Sequence, residues 1–144
     1  MSEIDPPIEL LLPHWGPALL LERMVSWSAD SLECVGRIPR DNAFVDDGTA
    51  PSFVALELGA QGAAALEALL RRRSGDSAGP RVGYLVSIRE ARFGVERIPA
   101  GAELRTTVRL LGGAAALATY AVSVEHAGVQ CASATVSTYA GARR

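Results

Sequence analysis

The chain is poor in the residues that most often carry metal or redox chemistry. Its 144 residues include only two cysteines, Cys34 and Cys131, and two histidines, His14 and His126. Neither cysteine belongs to a CxxC pair or a Cys/His cluster, so neither a metal site nor a redox dithiol is expected. Both fall in strand-like runs, which reads as two buried thiols in a reducing cytoplasm. Positive charge is not in excess either. Fourteen Lys and Arg face sixteen Asp and Glu, a formal net charge of −2. That excludes a protein that coats nucleic acid, which needs a basic surplus to neutralise phosphates. The opening Met1-Ser2-Glu3-Ile4-Asp5-Pro6-Pro7 is acidic, whereas a signal peptide starts basic and continues apolar. What is plentiful is apolar surface, at 49% of residues. That is too much for a disordered chain, and 144 residues suffice for one domain over 1–144 with a proper core.

The most apolar stretch, residues 53–70, is long enough to invite a transmembrane reading. Glu57, Gln61 and Glu67 interrupt it, and a carboxylate at a bilayer centre is costly. Its richness in Ala and Gly points instead to a buried core helix, with no membrane involved. Thr49 or Ala50 opens that helix, with Pro51 in the first turn, where its missing N–H does no harm. It runs to Arg71-Arg72-Arg73, three cations that complement the helix dipole, and breaks in residues 74–80. Gly59, Gly62 and Ala63-Ala64-Ala65 keep it thin, so that other backbone can approach closely.

Around the helix the pattern is β. Residues 17–27 and 31–38 read as a hairpin, the second strand alternating Leu32, Cys34, Gly36 and Ile38 with Glu33 and Arg37. A polar loop over 39–48 carries Asp46 and Asp47, read as a solvated turn. Strands follow at about 82–93, 102–111, 115–125 and 129–139, with turn signals at Ile98-Pro99-Ala100-Gly101, Gly112-Gly113 and His126-Ala127-Gly128. One helix cannot cover six strands unless the sheet curls around it. The expectation is therefore an α+β fold with a single wrapped helix.

Glu57 is the carboxylate that needs a reason. It lies between Leu56 and Leu58, with Gln61 at i+4 on the same helix face. If the helix is buried all round, desolvation raises its pKa and suits it to general acid–base work. The competing reading is that Glu57 points to solvent or pairs with an arginine. The free N–H groups at the helix start, Ser52 among them, are suited to polarising a carbonyl oxygen. A helix start with a carboxyl nearby is a plausible thioester site.

Several motifs, in order, carry a family resemblance. Residues 11–24, from Leu11-Leu12-Pro13-His14 to Glu22-Arg23-Met24, resemble the leader LPHRYPFLLVDRV of the 3-hydroxyacyl-ACP dehydratases of type II fatty-acid synthesis. Glu57-Leu58-Gly59-Ala60-Gln61 resembles that family's EAMAQ. Tyr84-Leu85, Ala91-Arg92-Phe93 and Ile98-Pro99-Ala100-Gly101 resemble its ARF…VPGD stretch. The resemblance implies a hotdog fold, in which a curved antiparallel sheet wraps a long central helix. It also implies a homodimer with acyl tunnels at the subunit interface, and a substrate carried on the phosphopantetheine of an acyl carrier protein or on CoA, with no other cofactor and no metal.

One departure bears on chemistry. The family places a histidine fourteen residues before the glutamate, where this chain has Ala43. Phe44 and Pro51 match the frame of that motif, HFPGxPxxPG, while Ser52 replaces its last glycine. The pattern is closer to the accessory dehydratase-like proteins of aryl-polyene and xanthomonadin-type pigment clusters. By this resemblance Glu57 and His14 are the acid–base candidates and the Ser52 N–H is the oxyanion donor. Phe44, Pro51 and Gln61 line the tunnel, and Arg92 and Arg97 contact the carrier. His126 lies in a turn and is read as inert. Three functions fit: a dehydratase giving a trans-2-enoyl thioester, a hotdog thioesterase, or a non-catalytic hotdog subunit paired in a heterodimer with an active one.

Overall fold

The protein is described from a computed structural model covering residues 6–13, 16–75, 83–114 and 116–140. Leu21–Trp27 (β1) and Ser31–Gly36 (β2) form the first hairpin. A short strand, Thr49–Pro51 (β3), leads through a 3-10 turn at Ser52–Val54 into the helix Ala55–Arg73 (α1). Then come Gly83–Phe93 (β4), the short Arg97–Pro99 (β5), Leu104–Ala114 (β6), Leu117–His126 (β7) and Val129–Ala140 (β8). The main sheet is antiparallel, in the order β1-β2-β6-β7-β8-β4, and β3 pairs with β5 in a separate ribbon.

This is the hotdog arrangement expected from the sequence, with differences at the ends of elements. Residues 17–20 are not strand: Gly16–Ala18 is a 3-10 turn and β1 starts at Leu21. The helix begins later than Thr49 because residues 49–51 are extended and paired with β5, which also converts the expected turn at Ile98-Pro99 into strand. Pro51 supplies the extended geometry (φ −58°, ψ 145°) and caps the 3-10 turn. The turns at Asp47-Gly48 and Ala127-Gly128 have positive φ at both positions, the conformation that matches hairpin twist.

Alternation along each strand builds the core. Leu104, Thr106 and Val108 face the helix while Arg105, Thr107 and Arg109 face away. The helix answers with small residues. A Cβ on Gly59 would stand 2.8 Å from Val122 Cγ2, and one on Gly62 2.7 Å from Val108 Cγ2, so both glycines are sites of close approach. The helix packs on β6, β7, β8 and β2. The segment 52–73 is the one stretch among the described residues long and apolar enough to cross a membrane, and 61% of its apolar window is buried in the fold, which makes it a core helix. Cys34 and Cys131 are both buried and unbridged.

Candidate active site at the helix start

Three elements converge where α1 begins. The loop before β3 places Phe44 edge-on against Phe53, with ring centroids 5.2 Å apart and planes at 83°. Ala43, in the place of the family's histidine, is the exposed residue just before it. From the sheet side, Phe93 and Gly94 close a shallow cleft with Pro51, Ser52, Phe53, Val95 and Glu96. Gly94 fits there because a Cβ would collide with the Gln130 carbonyl. Phe44 and Pro51, both expected in a tunnel wall, thus stand at the helix start.

Ser52 is placed as expected but its N–H is already used. It donates to the Glu96 carbonyl at 3.0 Å. The 3-10 turn over Ser52–Val54 closes with an i→i+3 bond onto the Val54 N–H, so the Phe53 N–H is the remaining candidate at the helix start. Phe53, rather than Ser52, is the N–H that a carbonyl oxygen would meet.

Glu57 is exposed in the single chain, so the desolvation expected of an all-round buried helix does not apply within one subunit. The helix is not covered all round. Phe53, Leu56, Glu57, Ala60, Ala64 and Glu67, spaced three or four apart, form an open strip. Glu67 pairs with Arg71 at 2.9 Å. Gln61 Nε2 donates to Glu57 Oε1 at 3.2 Å. Gln61 itself, expected in the tunnel wall, has 0% exposure and its amide is spent on protein partners. His14 lies outside the described residues.

The open strip has a neighbour. β4 is the last strand of the sheet and lies beyond the helix. Ile88 pairs with Val136 and Phe93 with Ala132, both core residues, so these side chains point to the helix side of the sheet. Yet Leu85, Val86, Ile88 and Phe93 are 44–54% exposed. An edge strand with free backbone groups and an apolar shelf beside an apolar helix strip is an incomplete surface. The irregularity between Arg89 and Arg92, with Glu90 at φ 55°, breaks the regular edge just short of Phe93.

The arginines expected to contact a carrier are not beside Glu57. Arg92 pairs with Ser133 on the far face of the sheet, in a groove with Glu90 and Arg109. Arg97 is a staple for the ribbon, its Nε bonding Thr49 Oγ1 at 2.6 Å and its Nη2 the Thr49 carbonyl at 3.0 Å. No group of metal-binding side chains occurs among the described residues. Sequence reasoning missed the apolar shelf. Its signal was present in Leu85-Val86-Ser87-Ile88, but a buried strand has the same pattern.

Comparison with known proteins agrees with this fold. The profile of the ApeP-like family, described as ApeP dehydratase, matches residues 6–143. No curated protein matches the sequence. Among solved structures, the dehydratase heterocomplex ApeI:P from Xenorhabdus doucetiae superposes with a TM-score of 0.86 at 23% identity, covering 97% of this chain and 94% of that one. A hypothetical thioesterase with coenzyme A from Streptococcus pneumoniae gives 0.62 at 10% identity, over 85% and 87%. The HP0420 homologue from Helicobacter felis gives 0.69 at 12% identity, over 100% and 96%.

Proposed function

Because the chain belongs to the ApeP-like dehydratase family, we propose that it takes part in removing water from a 3-hydroxyacyl thioester, as one half of a two-subunit enzyme. The observation that carries this is the open helix face: Glu57 stands exposed on the face that begins at Phe53, Phe53 shares a cleft with Phe93 at the end of the exposed apolar stretch of β4, and nothing among the described residues covers that stretch. A second hotdog subunit laid along β4 would enclose both. An unlike subunit is favoured over a second copy, since Ala43 deprives this chain of the usual base and the ApeI:P assembly is a heterocomplex.

In this reading the acyl chain lies along the apolar strip. The thioester carbonyl takes a hydrogen bond from the Phe53 N–H, so charge developing on its oxygen is stabilised. A base removes a proton from C2, and Glu57 gives a proton to the 3-hydroxyl. The C3–O bond then breaks, water leaves, and a trans C2–C3 double bond remains. His14, or a side chain of the second subunit, is the base. Passing that proton back to Glu57 resets the site. The substrate arrives on the phosphopantetheine of an acidic carrier protein or on CoA, with Arg92 and the unbonded edge of Arg97 as carrier contacts. Buried, unbridged thiols fit a cytoplasmic setting.

Ala43 also favours a second reading, a non-catalytic subunit that shapes the tunnel of an active one. Mass spectrometry of 3-hydroxyacyl carrier protein, incubated with this chain alone and with a co-purified hotdog partner, tests the proposal. The expected result is loss of one water, fast only with both subunits. Intact substrate in both samples contradicts it, and release of free acid identifies a thioesterase instead.

A further inference from the structure

A side-chain amide offers two N–H donors and an oxygen with two lone pairs, and Gln61 uses all four sites. Its Oε1 accepts from the Leu20 N–H at 2.9 Å and from the Leu21 N–H at 3.4 Å. Its Nε2 donates to the Ala18 carbonyl at 2.7 Å and to Glu57 Oε1 at 3.2 Å. Three of these bonds hold the leader to α1 and the fourth holds Glu57.

This pattern fixes which way the amide points. Turning it over would set an oxygen against both the Ala18 carbonyl and the Glu57 carboxylate, and an NH2 against two N–H groups. A buried polar group in such a state is heavily penalised. The leader cannot shift to relieve it. The Leu20 carbonyl accepts the Arg37 N–H at 3.0 Å, and Gly36 sits where a Cβ would collide with that same carbonyl. Leu20 and Leu21 are themselves core residues, 3% and 2% exposed. The amide is therefore a rigid donor, whereas Glu57 is an exposed side chain on flexible bonds.

We propose that Gln61 is a positioning residue, one that orients the Glu57 carboxylate and ties that orientation to the docking of the leader. The inference rests on the reading of Glu57 as the acid–base group. A side chain with three free torsions samples many rotamers, and holding it within reach of one proton is worth one to two decades of rate. The leader enters because three of the four bonds that fix the amide come from it.

Two variants separate positioning from support. Gln61→Glu keeps an acceptor for the Leu20 and Leu21 N–H groups and loses both donors. Gln61→Met has a similar length and loses everything. In the assembled two-subunit enzyme, Gln61→Glu is expected to lower kcat about 10- to 100-fold while KM changes less than about threefold. Against a Glu57→Gln background the same change should cost nothing further. Hydrogen exchange at the Leu20 and Leu21 amides should stay slow in Gln61→Glu and quicken in Gln61→Met. An unchanged kcat in Gln61→Glu with those amides still protected would overturn the proposal, as would an equal loss in the Glu57→Gln background. If the wild-type complex removes no water, the acid–base reading of Glu57 fails on its own, and a stability cycle judges Gln61. Gln61→Met and Glu57→Ala should then be coupled by about fivefold in the unfolding constant. Zero coupling contradicts the proposal.

Discussion

The thiol of Cys34 and the phenol of Tyr120 lie in the dry space between helix and sheet, and both lose their ordinary acid–base behaviour there. Burial, helped by nearby Glu33, pushes the Cys34 pKa from 9.0 up to about 12. Burial, helped by Glu67, pushes Tyr120 from 10.0 up to about 12, against a hydrogen bond with Thr138. Raised pKa values mean that the fold keeps protons which the unfolded chain gives up. Below pH 9 the two groups make no difference to stability. From there toward pH 12 the unfolded state binds fewer protons, and stability falls by up to about 1.4 kcal/mol per pH unit for each group. Urea unfolding at rising pH should show this slope, and Cys34→Ala should flatten its lower part. An unchanged slope in that variant would contradict the assignment. The same burial makes Cys34 inert to alkylation in the native state. Both cysteines were legible in the sequence as buried because each sits in an alternating run. Glu57 was not fully legible, since its chemistry depends on whether the helix face carrying it is covered, and hydrophobic spacing cannot say by what.

At the scale of elements, the order of strands and helix was readable because each strand has its own alternation and most turns a Gly or Asn/Asp signal, although Gly112 and Gly113, read as a turn, lie inside β6 and pair with Thr119 and Ala118. The departure at the helix start has one physical cause, pairing between distant segments. Thr49–Pro51 has a helix-start composition, yet it is strand because Arg97–Pro99 lies beside it. A local pattern carries no information on such a partner. The helix is the element where sequence and packing agree best. Gly59 and Gly62 are spaced to meet Val122 and Val108. Gly59→Ala or Gly62→Ala gains about 1 kcal/mol of helix propensity but overpacks a core that cannot yield by several tenths of an ångström, at about 1–3 kcal/mol. Net destabilisation is expected in thermal melts of each. Val122→Ala should recover much of the loss in the Gly59→Ala chain, because it removes the clashing methyls. A Gly59→Ala protein more stable than wild type would mean that the helix stands off the sheet.

For the whole molecule the decisive feature is what the fold leaves open. The core takes up the inward apolar residues of β2, β6, β7 and β8, whereas Leu111, Leu117, Val129 and Tyr139 of those strands stay exposed, as do Leu85, Val86, Ile88 and Phe93 on the edge strand and part of the strip along α1. In the sequence these residues resemble any other buried strand. Only the structure shows that nothing among the described residues covers them. Phe53, one turn before Glu57, lines a cleft with Phe93 of the edge strand, so assembly and chemistry are linked in this account. The most direct measurement uses the two-subunit complex in which only this chain carries Glu57→Gln, incubated with a 3-hydroxyacyl carrier protein and followed by intact mass. The account predicts that the substrate keeps its mass while the complex stays assembled. Loss of one water at the wild-type rate would show that the chemistry belongs to the other subunit alone.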